Sequence, residues 1–452
     1  MTLASLHARV EQALRRREAE LIELHRALVR LPTVNHGDGR SADETAAARL
    51  ARDFLARAGI QAEILEPAPG RGNLLASSGA ADGPALLLMS HSDVVPAGDE
   101  QAWIHPPFGA DLDGGRIWGR GAYDCKMLAA AQLFVMAVLA EEGLPRGGRL
   151  RLVMAADEEA GGRQGFRWLA EVRPDFLRCD VALCEGGGAS LGDWNGESCF
   201  TIGAGEKGRC EVQVAFRAPG GHASTPWGRR NPIRDAAEFI RRLGDTPVEV
   251  RPASPVFQTV AQWLRLSEPL SPANLDWAIG QIEQRSPALA RSLRAQSRLS
   301  FAPTIIRGGD KSNSLPDEVV VTCDFRLLPG DDEALVEQVV QRCLEGIEAA
   351  RVRIDWTSEA SHSPLDAGLL ARFEAAASRA AGRPMRGAPV WCAGFTDARL
   401  VRPLGTPVYG FQFIEPNADP ERLGIHCVDE SIEVGMLLPC AVALASFILD
   451  TL

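Results

Sequence analysis

The chain of 452 residues lacks several features that would place a protein quickly in a class. It has no excess of basic residues. There are 48 lysines and arginines and 59 aspartates and glutamates, which gives a formal net charge of −11. This balance argues against nucleic acid as a partner. Its ten cysteines include no Cys-x-x-Cys pair, which is more typical of scattered reduced thiols than of a disulfide framework. Internal repeats and low-complexity tracts are also absent from the sequence.

Long uninterrupted apolar runs are scarce as well. The first 34 residues mix charges with leucines at helical spacing, a pattern that does not fit a secretory signal. The longest apolar stretch, GMLLPCAVALASFIL at residues 435–449, contains Pro439 and is too short to span a bilayer. We therefore expect a buried helix there, a cytoplasmic protein and no membrane partner.

Helices and apolar strands alternate in the first part of the chain. Apolar residues recur at helical spacing in three segments, and short apolar runs between them predict strands. The predicted helices cover residues 5–32, 43–58 and 128–142, and the predicted strands cover 61–65, 73–77, 85–90, 150–156 and 180–184. This alternation predicts a mainly parallel α/β domain.

The pattern changes near Gly203. The segment CEVQVAFRA alternates as a half-exposed strand does, and a mixture of strands and helices follows it. Strands are predicted at 318–327 and 351–356, and helices at 231–243, at 331–349 and within 257–298. The α/β character returns near residue 359. We therefore predict a catalytic domain at 1–206 and 359–452, interrupted by an inserted α+β domain at 207–358.

Polar side chains follow three of the predicted strands. His91 and Asp93 close the run ALLLMSHSD, Glu158 and Glu159 follow LRLVMAAD, and Glu185 follows CDVALC. Residues two apart on a strand point to the same side, and open α/β sheets bind ligands at the carboxyl ends of their strands. Histidine and carboxylates at three such ends indicate a metal-dependent active site.

Two other motifs do not have the context that their functions require. GAGEKG at residues 203–208 matches a dinucleotide-binding fingerprint, but an alternating strand follows it where a helix is needed. GASLG at residues 188–192 matches the nucleophile elbow of serine hydrolases, but no helical pattern follows Ser190. Neither a nucleotide site nor a serine nucleophile is therefore favoured.

The ordered set of motifs resembles a known family. HSD, GRGAYDCK, DEE, CEGG, GGHAST, NSLP, FRLLPG, GFTDA and GIHCVDE follow one another between about residues 20 and 450. In this order they resemble the dinuclear zinc metallopeptidases of peptidase family M20, which include glutamate carboxypeptidase, aminoacylase, acetylornithine deacetylase and succinyl-diaminopimelate desuccinylase. The resemblance implies a zinc-peptidase-like catalytic domain, an inserted ferredoxin-like lid and dimerisation domain, and a homodimer.

The resemblance also implies ligands for two divalent cations. His91, Asp124 and Glu185 would hold the first cation. Asp124, Glu159 and His426 would hold the second, with Asp124 bridging the two. Imidazole and carboxylate ligands suit zinc, and such mixed sites also accept cobalt or manganese.

Catalytic roles follow from the same resemblance. Asp93 would orient His91 by accepting its other N–H. Glu158 would act as the general base that takes a proton from water and passes it to the leaving amine. His222, in GGHAST, would reach the active site of the partner subunit and stabilise the oxyanion there.

Three residues would bind the substrate. Asn313 in NSLP and Arg326 in FRLLPG resemble groups that hold the substrate, and Arg326 can bind a carboxylate through two hydrogen bonds. The backbone around Gly394 in GFTDA resembles a loop that binds a substrate carboxylate. One departure from the family pattern is Met127, where glycine is usual.

We therefore expect a metallohydrolase that cleaves an amide or peptide C–N bond next to a free carboxylate in a small molecule. N-acyl amino acid deacylases, carboxypeptidases and dipeptidases are of this type. One alternative is hydrolysis of a non-peptide C–N bond, as in a carbamoyl amino acid or an aromatic amine. Another is a metal-bound binding protein without catalysis.

Overall fold

The chain divides into two compact units. The computed structural model describes residues 2–38, 43–80, 82–144, 147–347, 351–415 and 420–452. The first unit comprises Met1–Ala204, Ser363–Val390 and Thr396–Leu452, and the second comprises Gly205–His362 and Trp391–Phe395. The short segment Trp391–Phe395, which the sequence analysis placed in the catalytic domain, thus groups with the inserted residues.

The first part of the chain alternates helices and strands as the sequence patterns predict. Its elements are α1 (Leu3–Arg16), α2 (Glu18–Val29), α3 (Glu44–Arg57), β1 (Ala62–Leu65), β2 (Asn73–Gly79), β3 (Ala85–His91), β4 (Asp111–Asp113), β5 (Arg116–Trp118), α4 (Lys126–Glu141), β6 (Arg149–Ala155), α5 (Phe166–Val172), α6 (Pro174–Leu177), β7 (Val181–Cys184), β8 (Ser190–Trp194) and β9 (Glu197–Glu206).

The remaining elements follow in chain order. Those of the inserted part are β10 (Gly208–Arg217), β11 (Gly221–His222), α7 (Pro232–Asp245), α8 (Val256–Trp263), α9 (Leu275–Glu283), α10 (Pro287–Ala295), β12 (Ser300–Arg307), β13 (Ser314–Leu315), β14 (Glu318–Leu327), α11 (Glu333–Leu344), β15 (Arg351–Ser358) and β16 (Ser361–His362). The last are α12 (Ala367–Ala381), β17 (Met385–Cys392), α13 (Ala398–Val401), β18 (Val408–Gly410), α14 (Pro420–Leu423), β19 (Ser431–Glu433) and α15 (Leu437–Thr451).

The main sheet of the first unit is mixed rather than mainly parallel. Its strands lie in the order β1-β2-β6-β3-β7-β18-β9, and β8 and β17 also pair with β9. The central strands β6, β3, β7 and β18 are parallel, while β1, β2 and β9 pair antiparallel with their neighbours. The α/β class is confirmed, and the parallel strands form its centre, where both faces are covered.

Helix α15 forms part of the core of the first unit. Pro439 does not break the helix, because it lies in the first turn, where no backbone N–H is needed for an intrahelical bond. The expectation that this stretch is too short to span a bilayer is wrong, because the window Val434–Thr451 is long and apolar enough to cross a membrane. However, 72% of the window is buried. Such burial is expected of a core helix.

The second unit contains a four-stranded antiparallel sheet in the order β12-β14-β10-β15. Side chains of α7 and α11, among them Phe239 and Val340, share a core with this sheet. With the extra helices α8–α10 and the short strands β11, β13 and β16 set aside, the chain order is β-α-β-β-α-β, which is the ferredoxin-like arrangement. The predicted α+β class of the insertion is confirmed.

Both rejected motifs lie on strands. The GAGEKG segment spans the end of β9 and the start of β10, and the GASLG segment runs into β8. Neither is followed by the helix that a dinucleotide site or a nucleophile elbow requires.

Candidate metal centre

His91 is held at the carboxyl end of a buried parallel strand. It is the last residue of β3, pairs with Ala155 of β6 and is 2% exposed. Its Nδ1 atom lies 3.0 Å from the main-chain carbonyl oxygen of Asp93 and 3.5 Å from a carboxylate oxygen of the same residue. Because Nδ1 donates to the carbonyl oxygen, Nε2 is the atom available to a metal.

Asp124 lies between two histidines in the first unit. Its Oδ1 atom is 3.2 Å from Nε2 of His91, and its Oδ2 atom is 3.3 Å from Nε2 of His426. Each histidine also lies 3.5 Å from a second carboxylate, Glu185 for His91 and Glu159 for His426. All five sequence-predicted ligands therefore meet, in two groups that share Asp124.

A tight turn after β6 carries Glu158 and Glu159. Asp157 has a left-handed backbone with φ of 67°, and the two glutamates begin a short 3-10 turn. The N–H groups of Glu158 and Glu159 each donate to a carboxylate oxygen of Asp93, at 3.1 Å. Asp93 was predicted to orient His91. The structure shows that its carboxylate also anchors the turn that carries both glutamates.

The centre concentrates negative charge. Burial, together with the charge of Asp124, raises the pKa of Glu159 to about 7 and raises the pKa of Glu185. Burial, followed by the charge of Glu185, raises the pKa of Glu158 well above its usual value. Burial would also raise the pKa of Asp124, but hydrogen bonds from His426 and His91 outweigh it and lower that pKa.

This donor set fits divalent cations. Buried carboxylates are costly unless they are paired with positive charge, and here several of them crowd around two imidazoles. Nitrogen and oxygen donors in groups of three suit catalytic zinc, whose sites keep a further position open. The thiol of Cys125 also lies close to His91 and Glu185. Burial raises the pKa of Cys125 to about 12, which favours its neutral form.

The predicted substrate residues belong to the second unit. His222 is exposed at the end of β11, opposite Ser314 of β13, and the carbonyl oxygen of Asn313 accepts a hydrogen bond from Ala223 at 3.0 Å. Strands β11 and β13 thus form a two-stranded ribbon, and this ribbon brings His222 and Asn313 close together.

Arg326 lies elsewhere in the second unit, on β14. Its Nε donates to Asp324 at 2.7 Å, and the same carboxylate accepts from Arg209 at 2.5 Å. The guanidinium carbon is 5.5 Å from the centroid of the Phe395 ring. Since Phe395 follows Gly394, the structure places Arg326 beside the segment that carries Gly394.

A buried polar network behind Asp93 was not predicted from the sequence. Asn35 donates to Asp93 at 2.9 Å and to Asp157 at 3.0 Å. Buried Arg71 forms an ion pair with Glu44, lies 3.8 Å from Asp157, and donates to Asn35 at 3.4 Å. Asn35, Arg71 and Glu44 belong to no motif and to no periodic pattern. The sequence therefore offered only one indication of the network, which is that polar residues occur near the ends of predicted helices and strands.

Comparison with known proteins identifies the family. The chain matches Peptidase family M20/M25/M40 over residues 87–450, and it belongs to this family. The family prediction made from the ordered motifs is thereby confirmed, and with it the expectation of an enzyme of the hydrolase class.

Two relatives illustrate the range of the family. The chain is 35% identical to a succinyl-diaminopimelate desuccinylase of Paracoccus denitrificans over 208 residues, which cover 46% of this chain and 53% of that protein. It is 27% identical to a probable carboxypeptidase S-like 2 of Dictyostelium discoideum over 371 residues, which cover 77% and 68% of the two chains. The match thus spans about half the length of the desuccinylase.

Solved structures share the fold. An M20 family metallo-carboxypeptidase, Sso-CP2 from Sulfolobus solfataricus, superposes with a TM-score of 0.72 at 20% identity, over 95% of this chain and 98% of that one. The di-peptidase Dug1p from Saccharomyces cerevisiae also gives 0.72, at 15% identity, over 99% and 98%. At these identities the likeness concerns the fold alone.

Proposed function

We propose that this protein is a dinuclear metallohydrolase that cleaves an amide or peptide C–N bond next to a free carboxylate in a small molecule. The observation that carries the proposal is the position of Asp124, whose two carboxylate oxygens each lie within 3.3 Å of a different histidine. The relatives named as desuccinylase and carboxypeptidase support the choice of bond.

His91, Asp124 and Glu185 would hold one cation, and Asp124, Glu159 and His426 the other. Zinc is the proposed metal, and the same donors also accept cobalt or manganese. When bound, two such cations activate a water molecule and polarise the substrate carbonyl. Asp93 would keep His91 in the tautomer that offers Nε2, since its oxygens occupy the Nδ1 side.

Glu158 would move the proton in this reaction. Its neighbour Glu159 is within 3.5 Å of His426, whereas Glu158 is absent from both predicted ligand groups. Burial raises its pKa, which is the direction that makes a carboxylate a better acceptor for a proton from water, and the same group could later give that proton to the leaving amine.

The second unit would supply substrate contacts. Arg326 would bind the free carboxylate, and the Gly394 segment beside it would face the same group. His222 would stabilise the oxyanion in the partner's active site of a homodimer. The exposed position of His222 is consistent with a role outside its own unit.

The proposal is tested by removing and restoring metal. Protein stripped with a chelator should hydrolyse none of a panel of N-acyl amino acids and dipeptides, and zinc, cobalt or manganese should restore turnover of at least one of them. Elemental analysis should then find two metal ions per chain. A stripped protein with full activity, or one inactivated by a fluorophosphonate but insensitive to chelators, contradicts the proposal.

A further inference from the structure

Glu430 is a buried carboxylate that none of the predicted roles uses. It lies in the first unit, is fully buried, and directly precedes β19. It also follows His426, a predicted ligand of the second cation, by only four residues. A buried carboxylate is costly unless it accepts several hydrogen bonds, so its partners indicate what it does.

The partners of Glu430 all lie on the loop that carries the bridging ligand Asp124. Its Oε1 atom accepts from the backbone N–H of Tyr123 at 3.0 Å and of Asp124 at 3.1 Å. Its Oε2 atom accepts from the N–H of Gly121 at 2.9 Å and from the guanidinium of Arg120 at 2.6 Å. Four donors therefore surround one carboxylate, and one of them is the backbone of Asp124 itself.

Further contacts strengthen the link between Glu430 and the loop that carries Asp124. The main-chain carbonyl of Glu430 accepts from Gly119 at 2.9 Å, and Ser431 pairs with Trp118 where β19 meets β5. Arg120 is itself buried, and its guanidinium lies 5.2 Å from the ring centroid of Trp103. The loop and the segment after His426 thus form one hydrogen-bonded assembly.

His426 depends on such support more than His91 does. Its side chain is 51% exposed, whereas His91 ends a buried strand. Both His426 and Asp429 have left-handed backbones, with φ of 60° and 61°, a conformation that is uncommon for residues other than glycine, although aspartate and histidine adopt it more often than most. The structure must therefore hold this loop in place through contacts nearby.

We propose that Glu430 is a positioning residue that sets the spacing between Asp124 and His426 and thereby selectively supports the second cation. The inference rests on the proposed dinuclear function. Charge-assisted hydrogen bonds are roughly twice as strong as neutral ones, and here they join segments 306 residues apart in the chain. The first cation shares Asp124, but it also draws on His91 and Glu185, which are held by β3 and the end of β7. The effect of Glu430 should therefore fall mainly on the second cation, which depends on both joined segments.

The test compares Glu430→Gln with the wild type. The substitution keeps the size of the side chain but turns an amide NH2 toward backbone N–H donors. Metal-stripped protein is titrated with zinc in a calorimeter, which resolves the two binding steps. We expect the second step to weaken by roughly ten- to a hundred-fold, the range typical of partners that orient metal ligands, and the first step to weaken clearly less. Excess zinc should restore most of the lost turnover.

Glu415→Gln is the matched control. Glu415 is also a buried carboxylate of the first unit, and it pairs with Arg383 at 2.7 Å. This variant should lose thermal stability yet keep both zinc steps. If Glu430→Gln does not fold, Glu430→Asp, which keeps the charge but shortens the side chain, is titrated in the same way and should weaken the second step.

The outcomes separate this inference from the proposed function. A wild type that binds fewer than two zinc ions defeats the dinuclear function itself. A wild type with two steps, together with a Glu430 variant in which both steps weaken equally or neither weakens, overturns the positioning role alone.

Discussion

The two units differ in how far their functional residues are exposed. In the first unit His91, Asp93 and Glu158 are buried and held by strand ends and internal hydrogen bonds. His426 is an exception, with a side chain that is 51% exposed. In the second unit His222 is exposed and the side chain of Arg326 is 27% exposed. Metal ligands need fixed geometry. Groups that bind a substrate need to be accessible from solvent, because the substrate arrives from solution. The comparison indicates that substitutions in the first unit should alter metal content, chemistry or stability. Those in the second unit should alter substrate binding or turnover and leave metal content unchanged.

The largest effect should come from Glu158 in the first unit. Glu158→Gln should lower kcat by roughly a hundred- to ten-thousand-fold, the usual contribution of a general base, because the amide cannot accept the proton. Metal content, measured by elemental analysis, should remain at the wild-type value. Glu159→Gln is the companion variant and should instead lose the second metal. If Glu158→Gln turns over normally, Glu158 has no part in the chemistry.

The next largest loss of activity should come from a substitution of His222 in the second unit. Losing an oxyanion donor costs roughly a hundred- to a thousand-fold in rate, so His222→Ala should be nearly inactive while folded and metal-loaded. Mixing it with Glu158→Gln under subunit exchange should restore about a quarter of wild-type activity, because half the dimers are hybrids with one intact site. Verified exchange without any recovery would show that His222 does not act across a dimer.

Acid should destabilise the first unit through His25. This histidine of α2 is buried, its Nε2 lies 2.7 Å from the carbonyl oxygen of Ala122, and burial lowers its pKa from 6.5 to about 4. Between these values the unfolded chain binds a proton that the folded chain does not. The stabilising effect of a neutral His25 is therefore complete above pH 6.5 and is lost progressively toward pH 4, by about 3 kcal/mol in all.

Denaturant unfolding at pH 7 and pH 5 measures this loss. His25→Gln keeps a donor for Ala122 but does not titrate, so its stability should change less between the two pH values. A variant with the same pH dependence as the wild type would assign the acid sensitivity to other groups.

The smallest effect should come from Arg326 in the second unit. Arg326→Ala removes a charged hydrogen-bond partner, worth about 1.5–3 kcal/mol, and kcat/KM should fall accordingly for substrates with a free carboxylate. The neutral amide analogue of the same substrate should be much less affected. An equal loss on both compounds would remove carboxylate recognition from Arg326.

Many of the helices and longer strands before residue 359 were predictable, whereas the short strands and most elements after it were not. Strand β14 was predicted at 318–327 and is found at Glu318–Leu327, because its residues alternate between the core and the opposite face. Predicted helices and strands were also found near 43–58 and 85–90. The antiparallel edges of the main sheet were not predicted, since strand direction depends on the connections between elements and not on the local pattern.

The site was predictable in part. The polar residues at the ends of β3 and β7 followed from local pattern, while His426 was found only through its motif, because it lies on an irregular loop. Arg71 was missed because it is a single charged residue without a repeating neighbour. Glu430 ends the GIHCVDE motif but was given no role, because the motif does not show which residues its carboxylate contacts. Their significance lies in contacts with segments that are distant in the chain.

The sequence by itself determined where helices and strands form, which strands end in histidine or carboxylate, and which family the motifs resemble. These are properties of neighbouring residues, set by side-chain periodicity and by chemistry at element ends. Only the tertiary structure decided that Asp124 lies between two histidines, that Asp93 anchors the turn of Glu158, and that Glu430 holds the Asp124 loop. These contacts join segments far apart in the chain, and burial determines their strength because a buried charge must be matched by partners that the local sequence does not contain.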